Sequence, residues 1–225
     1  MTGRMGGHPR ALLFDLDGTL IDSAPDLAGA ANDMREARAL PRLPLAHFRP
    51  MVGSGARGMV ARALGVGPDD AHFQALRDEF LQRYEARMTL ETRIFADMLP
   101  VLDALAAQRV PWGIVTNKAT RFSAPLVEAL GLHTASATLV CGDTTPHSKP
   151  HPAPLLEAAR RMNTLARHCW YVGDDHRDVL AGHAAGMTTV AAAWGYLGAG
   201  EPIAGWGADH VISTPAELLK LLAMS

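Results

Sequence analysis

The apolar run Ala11-Leu12-Leu13-Phe14 leads straight into Asp15-Leu16-Asp17-Gly18-Thr19. A run this short and uninterrupted is the pattern of a strand buried on both faces of a parallel sheet. Asp15 and Asp17 stand two residues apart, so in extended backbone both side chains leave on the same side, and Gly18 lets the chain turn at once. Two carboxylates therefore meet just past a strand's end. A local alternative is an Asp-Gly hairpin turn between two apolar runs. It loses its appeal further along, where three more polar signals each follow an apolar strand.

From Asp22 to about Glu91 the chain is Ala-rich and charged, with apolar residues at helical spacing, as in Phe73, Leu76, Phe80, Leu81 and Tyr84. Pro41, Pro44 and Pro50, then Gly65, Gly67 and Pro68, divide it into three or four helices. From Phe95 the pattern alternates: helix 99–108, strand 112–116, helix 122–130, strand 137–141, helix 152–162, strand 169–172, helix 178–185, strand 188–192, strand 210–212 and helix 215–222. The expected fold is α/β, a doubly wound parallel sheet, with a Rossmann-like core made of residues 1–20 and 93–225 and an all-helical cap domain, residues 21–92, spliced into it. Met1 to Pro9 reads as a disordered leader.

With 225 residues, 48% of them hydrophobic, the chain can bury a sizeable core, which argues against disorder. A net charge of -2 with interspersed signs supplies neither a basic stripe for nucleic acid nor a polybasic membrane segment, so the expected partner is a small molecule. Cys141 and Cys169 have no C-x-x-C spacing and fit a reducing compartment. The first apolar run is cut by Asp15 well short of a signal or spanning length, and the expected location is cytoplasmic. Oligomeric state is left open.

In a doubly wound sheet the ligand crevice lies outside the carboxyl ends of the strands. The residues there are Asp15 and Asp17 after the first strand, Thr116 and Asn117 after the second, Lys149 beyond the third, and Asp174, Asp175 and Asp178 after the fourth. Two like charges 4 Å apart at an effective dielectric near 20 repel by roughly 4 kcal/mol, so this many acids require positive charge among them. Lys149 supplies one unit and a hard divalent ion with oxygen ligands, Mg²⁺, the remainder. The same groups suit phosphoryl transfer. Asp15 can attack phosphorus without a base, and Asp17 can protonate the leaving oxygen and later deprotonate a water. Thr116 and backbone N–H groups from Leu16 to Gly18, with Thr19 and Asn117 beside them, can hold the phosphate.

Asp15-Leu16-Asp17-Gly18-Thr19, Val115-Thr116, Lys149-Pro150 and Gly173-Asp174-Asp175-His176-Arg177-Asp178 together resemble the four motifs of the haloacid dehalogenase superfamily of phosphatases. The resemblance implies Asp15 as nucleophile, Asp17 as acid–base group, Mg²⁺ held by Asp15, the Asp17 carbonyl and Asp174, and Asp178 behind the metal's ligands. Asp174 leads Asp175 at the metal because it directly follows the glycine. The insertion, Thr116-Asn117-Lys118 and Ala181-Gly182-His183-Ala184-Ala185-Gly186 resemble the phosphoglycolate phosphatase branch. Gly53-Ser54-Gly55-Ala56-Arg57-Gly58-Met59-Val60, Phe122-Ser123-Ala124-Pro125 and Trp206-Gly207-Ala208-Asp209 are similar to the N-acetylmuramic acid 6-phosphate phosphatases. Either branch implies a small acidic phosphate ester as substrate.

Gly53 to Gly58 also fits G-x-G-x-x-G, but no strand precedes it, as a dinucleotide fingerprint requires. It reads as a lid loop that brings Arg57 to a substrate carboxylate, against the blander reading of a capping turn with a solvent-facing arginine. The ten histidines are taken as surface or core fillers that offer no close H-x-x-x-H pair, with His176 lining the rim of the site. Trp194-Gly195-Tyr196 is either core packing or a flank of the crevice, and one of Asp174, Asp175 and Asp178 can be a helix N-terminal acid. A sugar phosphomutase is the nearest catalytic rival. A phosphorylated signalling receiver is the rival of another class, disfavoured by the acceptor's place on the first strand and by the insertion. Dehalogenases and ion pumps, by resemblance, lack an acid at the place of Asp17.

Overall fold

The computed structural model describes residues 8–198 and 200–223. The leader assigned to Met1–Pro9 lies outside them except for His8 and Pro9. In chain order the elements are β1 (Ala11–Phe14), β2 (Ile21–Asp22), α1 (Ala24–Glu36), α2 (Leu45–Phe48), α3 (Gly55–Leu64), α4 (Phe73–Glu85) and β3 (Arg93–Ile94). There follow α5 (Leu99–Ala107), β4 (Trp112–Val115), α6 (Thr120–Ala129), α7 (Leu132–Ala135), β5 (Leu139–Val140), α8 (Ala153–Arg161), β6 (Cys169–Gly173), α9 (His176–Ala185), β7 (Thr188–Ala192), β8 (His210–Ile212) and α10 (Pro215–Ala223).

Six strands form one sheet in the order β5-β4-β1-β6-β7-β8, with every pairing parallel. All four residues of β1 are fully buried because helices cover both faces. Leu12 and Phe14 join Trp112, Ile114 and residues of α5, α6 and α10 in one apolar layer. Ala11 and Leu13 face the opposite layer with Val115, Tyr171 and residues of α8 and α9. The chain leaves β1 for β4 and β5 on one side, then returns to β6 on the other. The carboxyl ends of β1, β4 and β6 thus flank the topological switch point, where the crevice of such a sheet opens.

Between β2 and β3 lie the four helices α1 to α4, which bury Leu27, Met34, Met59, Val60, Phe80 and Tyr84 among themselves. A proline in its first turn starts α1, and Gly65 in the left-handed conformation (φ 72°) ends α3. Fully buried Asp26 of α1 accepts from the backbone N–H groups of Glu91 and Thr92 and from Thr92 Oγ1 through one oxygen, stitching the start of the insertion to its end.

The fold departs from the expected elements, among other places, in a short helix α7 after α6 and in the three that follow. The antiparallel pair β2–β3 was not expected, because two-residue strands carry no periodic signal. The strand expected at 137–141 shortens to Leu139–Val140, an edge strand whose continuation is lost when Cys141 N turns to Thr144 Oγ1 and Gly142 N to the Lys118 carbonyl. The helix expected from Asp178 begins at His176, because Asp175 and Asp178 form a reciprocal capping box around its first turn.

Candidate active site

β1 delivers Asp15 to the crevice while its N–H still donates to the Val172 carbonyl of β6. Lys149, 4% exposed, reaches in from the loop after β5. Its Nζ lies 2.7 Å from Asp15 Oδ1, 2.7 Å from Asp178 Oδ1 and 2.7 Å from the Tyr171 hydroxyl. The Lys149 backbone is held in turn by Asn117, whose Nδ2 donates to the Lys149 carbonyl at 2.9 Å and whose Oδ1 accepts from the Lys149 N–H at 2.9 Å. Asn117 lines the crevice, but its amide is committed to placing Lys149.

Asp174, at the end of β6, is fixed by Thr19 Oγ1 on one oxygen (2.9 Å) and by the Tyr196 N–H on the other (2.8 Å). Gly18 turns against it at φ 89°, where a Cβ would lie 2.2 Å from Asp174 Oδ2. Thr19 is therefore a partner of Asp174, and the Gly18 N–H donates to the Ile21 carbonyl, which takes it out of the expected phosphate cradle. Neither residue lines the cavity. Thr116 does; it is buried, and its Oγ1 accepts from the Lys118 N–H.

The carboxylates of Asp15, Asp174 and Asp178 each place an oxygen within 4.8 Å of the others. Burial pushes the Asp15 carboxyl up to about 7, with Lys149 opposing and the charges of Asp178 and Asp17 adding to the rise. Burial, then the charges of Asp15 and Asp178, hold Asp174 well above the ordinary carboxylate range. Lys149 stays charged, because the two acids outweigh its own burial. Lys149 thus pairs with only two of the three buried acids, and an all-oxygen donor set short of positive charge fits a hard divalent cation.

Asp17 is held apart from this trio. Its Oδ1 accepts from Ser23 Oγ and from Lys118 Nζ. Asp175 caps α9 through the Arg177 N–H and forms a two-pronged pair with the Arg177 guanidinium, whose Nη2 also donates to the Gly53 carbonyl of the insertion. Asp175 is thus the helix N-terminal acid of the three. Asp178 takes part in that cap through Oδ2, while its Oδ1 faces Lys149. Trp194 Nε1 donates to the Thr19 carbonyl and Tyr196 lines the cavity, so this segment both packs and flanks the crevice.

A cavity of about 630 Å³ lies between the sheet edge and the helical insertion. Its walls mix the acids with Val52, Phe80, Leu81 and Phe122 and with the exposed arginines Arg57, Arg77 and Arg121. The Arg57 side chain makes no hydrogen bond or ion pair among the described residues. His176 corrects its expected place: it stacks on Trp206, 6.0 Å between centroids, and does not line the cavity. The histidines also correct the reading that none pair closely, since His147 and His151 stand four residues apart with ring centroids 4.3 Å apart. They flank Lys149 in one loop, but neither ring lines the cavity. Lys118, Tyr84, Tyr171 and Arg177 were given no role from the sequence. Lys118, two residues past Thr116 at a strand's end, carried a usable signal, whereas Tyr171 lies inside a strand and Tyr84 inside a helix.

Acids from two strand ends, a buried lysine and a hydroxyl at the switch point of a parallel sheet define a class, and the chain belongs to the haloacid dehalogenase-like hydrolase family, whose model matches residues 12–192. Within that family it is a phosphatase. A phosphoglycolate phosphatase of Xanthomonas campestris pv. campestris (strain 8004) is 46% identical over 211 residues, covering 93% of this chain and 95% of that one. An N-acetylmuramic acid 6-phosphate phosphatase of Pseudomonas putida is 40% identical over 213 residues, covering 95% and 96%. The crystal structure of a predicted phosphoglycolate phosphatase from Haemophilus somnus 129PT superposes with a TM-score of 0.81 at 29% identity, covering 94% of this chain and 97% of that one. These findings decide against the signalling receiver. Among the described residues no helix is long and apolar enough to cross a membrane.

Proposed function

We propose that the chain hydrolyses a small acidic phosphomonoester through an aspartyl-phosphate on Asp15, with Mg²⁺ as its cation and residues 21–92 as a cap domain over the site. The observation that carries this is the buried trio Asp15, Asp174 and Asp178 in the wall of the cavity, with Lys149 paired to Asp15 and Asp178. An Asp15 oxygen bonds to phosphorus as the ester P–O bond breaks, and Asp17 gives the departing alcohol its proton. Asp17 then takes a proton from a water that attacks phosphorus, which frees inorganic phosphate and restores Asp15. Lys149 and the Thr116 hydroxyl offset or hold the phosphoryl oxygens, and Asp178 and Asn117 keep Lys149 in place. Asp15, the Asp17 carbonyl and Asp174 would hold Mg²⁺, which would supply the positive charge that lets a dianionic group approach these acids. Asp175 supports the site from behind, through the cap of α9. Arg57 is free to pair with a substrate carboxylate. Two unpaired, buried cysteines suit a cytoplasmic setting.

The 46% relative is named for phosphoglycolate and the 40% relative for N-acetylmuramic acid 6-phosphate. A cavity of about 630 Å³ with an apolar wall favours the second, since pockets of roughly 300–1,000 Å³ enclose ligands much larger than a two-carbon acid. A phosphate-release panel with both compounds and common sugar phosphates, with and without Mg²⁺, tests the reading. We expect release that requires Mg²⁺, a hydroxylamine-trappable acyl phosphate and no turnover by Asp15→Asn. Turnover surviving in Asp15→Asn would refute the covalent route, and isomerised sugar without free phosphate would mean a mutase.

A further inference from the structure

Lys118 joins the helical insertion to the core at Asp17. Its backbone is pinned on both sides, the N–H by Thr116 Oγ1 at 3.1 Å and the carbonyl by the Gly142 N–H at 2.9 Å. Its ammonium meets Asp17 Oδ1 at 2.5 Å and the Tyr84 hydroxyl at 2.9 Å, and lies 5.0 Å from the Tyr84 ring centroid. Only 11% of the lysine side chain is exposed. Tyr84 belongs to α4 of the insertion and is itself fixed, stacked with Phe80 at 6.4 Å and tilted against Phe122 of α6 at 5.6 Å.

Asp17 divides its two oxygens. Oδ1 takes both Ser23 Oγ and Lys118 Nζ, while Oδ2 receives no hydrogen bond among the described residues and the residue lines the cavity. One oxygen is an anchor; the other is left to the substrate. A lysine stem has much rotamer freedom, so the ammonium can anchor a carboxylate in one pose only if something fixes it, and here that is the Tyr84 ring and hydroxyl.

We infer that Lys118 is a positioning residue for Asp17 and that Tyr84 seats its ammonium, so that docking of the helical insertion sets the orientation of the acid–base carboxylate. This rests on the proposed acid–base role of Asp17. Esters with an alkyl leaving group need the proton that Asp17 delivers, whereas p-nitrophenolate leaves without one.

The test compares kcat/KM, which reports transfer to Asp15 and not the later hydrolysis that both esters share, on an alkyl phosphate and on p-nitrophenyl phosphate, using the full chain with Mg²⁺ and circular dichroism to confirm folding. Misplacing a catalytic group by about 1 Å costs roughly 10²-fold, so Lys118→Met should lose about that much kcat/KM on the alkyl ester and about tenfold less on the aryl ester. Lys118→Arg, which keeps the charge, should recover part of the alkyl-ester rate. Tyr84→Phe removes one hydrogen bond and keeps the ring; a loss of about 3- to 10-fold, again larger on the alkyl ester, is expected, and this variant decides the matter if Lys118→Met does not fold. Adding Lys118→Met to Asp17→Asn should cost nothing further on the alkyl ester. Equal losses on both esters, or additive losses in the double variant, would overturn the inference. Full alkyl-ester activity in Asp17→Asn would instead remove the acid–base reading on which it stands.

Discussion

Replacing Lys149 with methionine keeps most of the side-chain volume and deletes the cation paired with two of the three buried acids, Asp15 and Asp178. At 2.7 Å and an effective dielectric near 20, its attraction to Asp15 and to Asp178 is roughly 6 kcal/mol each, most of it offset by desolvation of the charges. Breaking a buried pair by removing one partner leaves a net loss of about 3–5 kcal/mol. For a chain of this size that lowers Tm by roughly 6–20 °C. The loss should depend on pH with a definite sign. Burial pushes Asp15 up to about 7 in the fold from 3.8 in an open chain, and Lys149 is the largest influence pulling it back down. A carboxyl raised by folding contributes stability that is full below about pH 4 and is lost as the pH climbs through 7. Removing Lys149 raises Asp15 further and extends that window upward. Urea unfolding of wild type and Lys149→Met in EDTA, followed by circular dichroism, should therefore show the full loss at pH 8 and a smaller one at pH 5, where the acids can protonate. Added Mg²⁺ should recover part of the loss at pH 8 by binding only the folded chain. A variant within about 1 kcal/mol of wild type at pH 8 in EDTA would refute the claim that these acids need Lys149.

Two glycines give further tests. Gly18→Ala would set a Cβ 2.2 Å from Asp174 Oδ2 at φ 89°, so we expect more than about 10²-fold loss of kcat and weaker Mg²⁺ binding by titration, with the far-ultraviolet spectrum retained. Wild-type Mg²⁺ affinity would show that Asp174 tolerates displacement. Gly29→Ala in α1 would put a Cβ 2.1 Å from the Arg87 guanidinium carbon and drive that side chain off Asp33, its partner at 2.8 Å. The helix-propensity gain of about 1 kcal/mol should be outweighed, for a net loss of roughly 1–2 kcal/mol in thermal unfolding; a stabilised variant would contradict this.

Much was legible from strand ends alone. A four-residue apolar run ending in Asp15 sets both a buried strand and the place where its carboxylate emerges, because backbone period and turn chemistry are local properties. By the same logic Thr116, Lys149 and Asp174 reach one crevice whatever their separation in the chain. The partner of each group is not local. Thr19 and Asp174 are 155 residues apart, Asp17 and Lys118 are 101 apart, and Tyr84 meets Lys118 only because α4 packs across the crevice. Asn117 looked like a phosphate ligand from its position, yet its amide is spent on the Lys149 backbone. Asp174 and Asp175 are chemically alike in sequence, and only the start of α9 makes one a capping acid and leaves the other among the buried carboxylates. Sequence by itself determined which residues arrive at the site. The tertiary structure decided what each one does there, because a carboxylate's role follows from the charges and donors a few ångströms away, and folding alone sets those distances.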